Sequence, residues 1–239
     1  MPSPYIPNTD RDRADMLRAI GAGSIDELFR DVPAKFRDVQ FDLPPPLTEL
    51  ELGQELHRLS RLNASMDQYA CFLGAGHYHH FIPGVVGHIT GRSEFYTAYT
   101  PYQAEASQGV LQAIYEYQSL VCQLTGMDIS NAGMYDGSSA AAEAALMAGR
   151  ITGREEVAVL STVNPAYREV IGTYSQGQDM AIHEIAPDFE RLPDKCACLV
   201  VQQPDFFGGF GDAARYARLA HKAGALFVVI FDPISLGLF

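Results

Sequence analysis

The stretch "ACLVVQQPDFFGGFGDAARYARLAHKAGALFVVIFD", Ala197 to Asp232, decides the fold. It begins with an apolar run that does not alternate with polar residues and ends in a second such run, Ala225 to Asp232. A strand with one face in water alternates, whereas a strand covered on both faces need not. The intervening "DAARYARLAHKAG", Asp212 to Gly224, reads as a helix, so the unit is strand, helix, strand. The same texture reaches back to Met134. It takes in the small-residue helix "SSAAAEAALMAGR", the strand "EVAVLS", the helix "PAYREVIGTYSQG" and the short strand "MAIHEI". The predicted fold class is α/β, a mostly parallel sheet with flanking helices. In such sheets ligands bind beyond the carboxyl ends of the strands. The last residues, "FDPISLGLF", follow the strongest strand directly, so the sequence predicts a domain incomplete at its C-terminus.

Upstream the chain reads as helical pieces and turns. Cap residues Asn8 to Asp10 open a helix that Gly21 ends, and Ser24 with Glu27 and Thr48 with Glu51 have capping-box spacing. Pro44, Pro45 and Pro46 make a stiff connector between these pieces. Residues 1–70 are expected to be a helical arm and residues 71–239 the α/β domain. In "FYTAYTPYQAEASQGVLQ", Phe95 to Gln112, Tyr96, Tyr99 and Tyr102 recur every third residue ahead of a helix, and Pro101 breaks the run. That helix carries a stripe, Val110, Ile114, Tyr117, Val121 and Leu124, which predicts packing, and Gly126 predicts its end.

Composition narrows the function. A hydrophobic content of 47% and a charged content of 19% describe an ordinary soluble chain with a sizeable core. The net charge of −12 argues against nucleic acid as a partner. No apolar run approaches the roughly 20 residues that span a bilayer, and the N-terminus lacks the apolar core of a signal peptide. Cys71, Cys122, Cys196 and Cys198 follow no metal spacing and read as free thiols of a cytoplasmic protein.

Several constellations carry chemistry, each beside a plainer alternative. Gly137, Ser138 and Ser139 open a helix, where backbone N–H groups and hydroxyls suit a phosphate or carboxylate; on the motif alone, simple N-capping by serine is the favoured account. Gly209, Gly211 and Ala214 in "GGFGDAA" fit a dinucleotide fingerprint, but the loop before them is too long for its tight turn. Asp232 ends a strand, where an acid pairs a protonated pyridine or a ribose, or caps the next turn. His77, His79, His80 and His88 lack the companions of a zinc site, and no metal is expected. Lys35, Lys195 and Lys222 are the three lysines, and none is placed like a Schiff-base lysine beyond a strand-end acid.

Taken together, "FLGAGHYHHFIPGVV", "SEFYTAYTPYQAEASQGVLQAIYEYQ", "LTGMDISNAGMYDGSSAAAEAALMA" and "FDPISLGLF" resemble one family. It is the glycine decarboxylase (P-protein) of the glycine cleavage system in its two-subunit bacterial form, and the match is to subunit 1, the alpha subunit. The resemblance covers essentially the whole chain, although family members continue well past the position of Phe239, which implies a truncated product or a fragment. It implies an aminotransferase-like, fold-type-I architecture and a heterotetramer of alpha and beta subunits. The implied activity is PLP-dependent decarboxylation of glycine, with the aminomethyl group passed to the lipoyl arm of H-protein. PLP and its Schiff-base lysine would belong to the beta subunit, and this chain would keep a degenerate cofactor site whose candidates are Ser138, Ser139 and Asp232. Tyr96, Tyr99, Thr100, Tyr102 and Gln103 would line the alpha side of the channel, or pack the subunit interface. Members more often read "DGATA" where this chain has Gly137-Ser138-Ser139-Ala140, and the "GHYHHF" histidines also vary. Two other functions stay open: a non-catalytic assembly or regulatory half of that complex, and a dinucleotide-binding oxidoreductase.

Overall fold

The computed structural model describes residues 5–37, 40–76, 79–96 and 108–238, with Tyr96 described for its backbone alone. Contacts divide the chain into two units, residues 1–68 and 69–239. The first holds α1 (Asp10–Ile20), α2 (Ile25–Leu28) and α3 (Glu49–Ser60), joined by irregular segments. Thr9 with Asp12 and Thr48 with Glu51 form reciprocal capping boxes at α1 and α3. Ser24 caps α2, but the Glu27 carboxylate accepts from the Gly23 N–H at 2.6 Å, so that box closes one residue early. None of the three helices has a buried residue. Local capping therefore shapes this unit more than a core does.

The second unit contains α4 (Gly84–Thr90), α5 (Ser93–Tyr96) and α6 (Gln108–Thr125), followed by the α/β part. There α7 (Gly137–Thr152) leads into β1 (Glu156–Leu160), α8 (Pro165–Gln176), β2 (Ala181–Ile185), β3 (Cys196–Gln203), α9 (Ala213–Lys222) and β4 (Leu226–Phe231). The four strands are all parallel in the order β2-β1-β3-β4. The chain leaves β1 through α8 toward one side and leaves β3 through α9 toward the other. Right-handed crossovers in opposite directions put α8 and α9 on opposite faces of the sheet. The carboxyl ends of β1 and β3 thus flank the point where the topology reverses.

The two central strands are covered on both faces: Val157 to Leu160 and Cys196 to Val201 are all buried. Each fully buried Val or Leu side chain there contributes roughly 1.5–3 kcal/mol of transfer free energy. On one face α7 packs against α8 and across β3 and β4, presenting Ala141, Ala142, Ala145 and Ala148, all buried. These methyl-sized side chains let the helix approach closely, which explains its composition. On the other, α9 buries Tyr216, stacked on Phe189 with ring centroids 5.9 Å apart. Arg154 ties the amino edge together by donating to the carbonyls of Cys196 at 2.9 Å and Ala223 at 2.8 Å. Burial pushes the Cys198 thiol up to about 12 and raises that of Cys196, so both are packing groups at neutral pH.

Two expectations are corrected. All six residues of β4, the most apolar run, are only half-buried, because among the described residues the strand pairs with β3 alone. In α6, Val110, Ile114 and Val121 are half-buried, but Tyr117 and Leu124 are 49% and 71% exposed. The helix touches the short turn Pro233–Leu238 after β4. Gly21 and Gly126 end α1 and α6 as expected, each left-handed at φ 74° and 72°, where a side chain would be strained. No helix among the described residues is long and apolar enough to cross a membrane.

Candidate functional site

Beyond the carboxyl ends of β1, β3 and β4 lies a cleft of about 300 Å³ lined by His80, Asn164, Tyr167, Gln202 and Asp232. A more apolar hollow of about 500 Å³ adjoins it, sharing His80, Pro204 and Asp232 and adding Phe210 and Ile234. Each lining residue follows from local chemistry. Asn164 caps α8, its Oδ1 accepting the Ala166 N–H at 3.0 Å, and Pro165 suits the first helical position, where no N–H is needed. Tyr167 follows in the first turn.

Asp232 leaves β4 at its carboxyl end and does two things. Its Oδ1 accepts the Ile234 N–H at 2.9 Å, capping the turn, and its Oδ2 lies 3.6 Å from Nε2 of His80. The acid therefore links the segment before α4 to the end of the sheet. Two adjacent amides at the end of β3 bind the neighbouring loops. Gln202 Oε1 accepts the Asn164 N–H at 2.8 Å. Gln203, 1% exposed, donates from Nε2 to the Gly211 carbonyl at 3.1 Å and accepts the Gly211 N–H on Oε1 at 3.2 Å.

Ser138 and Ser139 do not line this cleft. Both turn toward Asp136, whose Oδ1 accepts the Ser138 hydroxyl at 2.6 Å, the Ser139 N–H at 2.7 Å and the Ser139 hydroxyl at 3.0 Å. The Ser138 hydroxyl first, and then the Ser139 donors, hold this carboxyl below the usual aspartate range. A Cβ on Gly137 would stand 2.6 Å from the Tyr167 hydroxyl, so that approach to the helix start is also filled. At α9, Asp212 accepts the Arg215 N–H at 2.8 Å. The N-termini of α7, α8 and α9 are thus each closed by a side chain of the chain itself, two of them anionic, where a phosphate would otherwise be held.

The dinucleotide fingerprint is closed in the same way. Asp205 Oδ1 accepts the N–H groups of Phe207 at 2.9 Å and Gly209 at 2.8 Å, and Gly211 is engaged by Gln203. The loop is an aspartate-centred turn rather than a tight strand-to-helix bend.

Among the remaining candidates, Tyr99, Thr100, Tyr102, Gln103 and His77 lie outside the described residues, and Tyr96 ends α5. His79 borders the apolar hollow, while His88 sits in the last turn of α4. Of the lysines among the described residues of the second unit, Lys195 precedes β3 at the amino edge and Lys222 ends α9, so neither lines the cleft; Lys35 lies in the first unit. Asn164, Tyr167, Gln202, Gln203 and Asp136 were not singled out from the sequence. The visible signals were "NP" ahead of α8 and the polar pair that ends an otherwise apolar β3.

An all-parallel α/β sheet with a polar cleft at its topological switch point defines the class: a doubly wound protein, whose ligands as a class bind at the carboxyl edge. Comparison with known proteins makes this specific. The sequence model of the family "Glycine cleavage system P-protein" matches residues 3–239. The chain is 50% identical to a probable glycine dehydrogenase (decarboxylating) subunit 1 of Desulforamulus reducens, over 98% of this chain and 55% of that protein. It is 48% identical to a protein of the same name from Geobacillus kaustophilus, over 98% and 54%. A solved glycine decarboxylase (P-protein) of the glycine cleavage system, in inhibitor-bound form, superposes with a TM-score of 0.86 at 42% identity, covering 98% of this chain and 55% of that one. The chain belongs to the glycine cleavage system P-protein family. It spans about half the length of the curated relatives it matches.

Proposed function

We propose that this chain acts as the alpha subunit of a PLP-dependent glycine decarboxylase. With a beta subunit it takes part in decarboxylating glycine and passing the aminomethyl group to the lipoyl arm of H-protein. What supports this most is the likeness to a solved glycine decarboxylase at 42% identity over 98% of the chain. The relatives' name, subunit 1, supports a second subunit. PLP, when bound, supplies the electron sink for the bond that loses CO2. The described residues of this chain do not fit PLP as their own ligand. Asp136 and Asp212 set carboxylates at the helix starts that would hold its phosphate. On the family resemblance, we assign PLP and its lysine to the beta subunit, in a cytoplasmic complex.

On this reading the chain's own groups bind, orient and exclude water. Tyr96, Tyr99, Thr100, Tyr102 and Gln103 line the alpha side of the channel, with phenol rings displacing water and hydroxyls orienting the substrate. Asp232 and His80 meet at the carboxyl edge of the sheet. A second reading, a non-catalytic assembly half, draws on the same poor fit of Asp136 and Asp212 to a PLP phosphate.

The test is exchange of labelled bicarbonate into the glycine carboxyl group, with the beta subunit, PLP and H-protein present. Exchange well above the beta-only background when this chain is added is the expected result. Binding of this chain to the beta subunit with no gain in exchange would leave the assembly role, and neither would refute both.

A further inference from the structure

We infer that Gln202 and Gln203 are positioning residues that hold, independently of each other, a wall of the carboxyl-edge cleft and a wall of the hollow adjoining it. Adjacent residues on a strand point to opposite faces of the sheet. The crossovers from β1 and from β3 also lie on opposite faces, so one strand end can serve both layers. Gln202 accepts the Asn164 N–H at 2.8 Å, fixing the start of α8 and with it the Tyr167 wall. Gln203 reaches the other way. Its amide makes both bonds with Gly211, at 3.1 and 3.2 Å, in the manner of an added strand residue. Gly211 follows Phe210, which lines the apolar hollow, and a Cβ on Gly211 would stand 2.7 Å from the Tyr216 ring. This wall is therefore pinned between a buried amide and a buried aromatic ring.

A strand as apolar as β3 has no packing need for two amides at its end, and Gln203 is among the largest fully buried side chains of the described residues. Burying an amide is costly unless its hydrogen bonds are made. Here each polar atom of the Gln203 amide is matched to the complementary backbone atom of one residue, which fixes distance and orientation together. The catalytic importance of the cleft rests on the proposed function; the existence of two separate clamps does not.

Hydrogen exchange on the complete 239-residue chain separates the two questions. Gln203→Leu is expected to speed exchange in the peptide covering residues 205–212 by about tenfold while residues 162–168 keep their protection. Gln202→Leu is expected to do the reverse. Leu199→Ala, which removes a buried apolar side chain from the same strand, serves as the control for general destabilisation and raises both segments together. If either glutamine variant raised both segments in step, as the control does, or neither segment, the pair would be ordinary structural support and the inference would be wrong. Gln203→Asn, one methylene shorter, gives the same map should the leucine variant not fold.

In the bicarbonate exchange mixture, both leucine variants are expected to raise KM for glycine about tenfold with kcat within about threefold. An unchanged KM beside an active unsubstituted chain overturns the positioning role. An inactive unsubstituted chain counts against the proposed function, and the exchange map still decides the clamps.

Discussion

At the residue scale, the carboxyl edge is organised by side chains that stand in for backbone. Asp136, Asn164, Asp205, Asp212 and Asp232 each accept at least one nearby N–H, and Gln203 pairs with Gly211 as a strand neighbour would. An unpaired buried N–H or carbonyl costs roughly 1–3 kcal/mol, so loops that leave the sheet need such partners. The tyrosines of the proposed channel are argued on different grounds. A phenol used only for packing tolerates loss of its hydroxyl, whereas one that orients substrate does not. In the alpha–beta complex, Tyr99→Phe and Tyr102→Phe are expected to lower kcat/KM for glycine by about tenfold, the size of one positioned hydrogen bond. Thermal unfolding of the same variants should move little. Equal losses of activity and stability would return these residues to a packing role.

At the element scale, α7 shows how a short motif is read differently by its surroundings. The segment "DGSSAAAEA" is compatible with an open anion site and with a self-capped helix, and both use the same N–H groups. The structure has Asp136 as the cap, with its proton affinity lowered by Ser138 and Ser139. A carboxyl whose folded value lies below its unfolded value adds stability that is fully present above the ordinary 3.8. That contribution disappears as pH falls through the lowered folded value. Urea unfolding followed by circular dichroism from about pH 7 to about pH 3 should therefore show the wild-type chain and Asp136→Ala converging at the acid end. Curves that stayed equally spaced to the lowest pH would assign the cap's effect to something other than its charge. The helix body depends instead on size: buried Ala141, Ala145 and Ala148 set its distance from α8 and the sheet.

At the scale of the whole molecule, the central strands are fully covered while much else is not. Among the described residues, Phe72, Phe81 and Tyr135 are 94%, 90% and 96% exposed, and β4 offers an uncharged edge that pairs on one side only. Exposed apolar surface and an unprotected strand edge favour association. Sedimentation velocity on the isolated chain should show a weight-average mass that rises with concentration above the 26.2 kDa monomer, and addition of a beta subunit should suppress the rise. A concentration-independent monomer would contradict this. Much was legible in the residues alone. Non-alternating apolar runs specified β1 and β3 and the parallel class, because burial on both faces removes the period of two. Capping spacings specified the starts of α1, α2 and α3, because those hydrogen bonds span only three residues. Quoted motifs such as "FLGAGHYHHFIPGVV" carried the family, which the relatives bear out. Only the tertiary structure decided which polar residues meet. Asp232 finds His80 and Gln202 finds Asn164 through strand order and crossover direction. Those are long-range properties of the chain, and no local pattern of residue types encodes them.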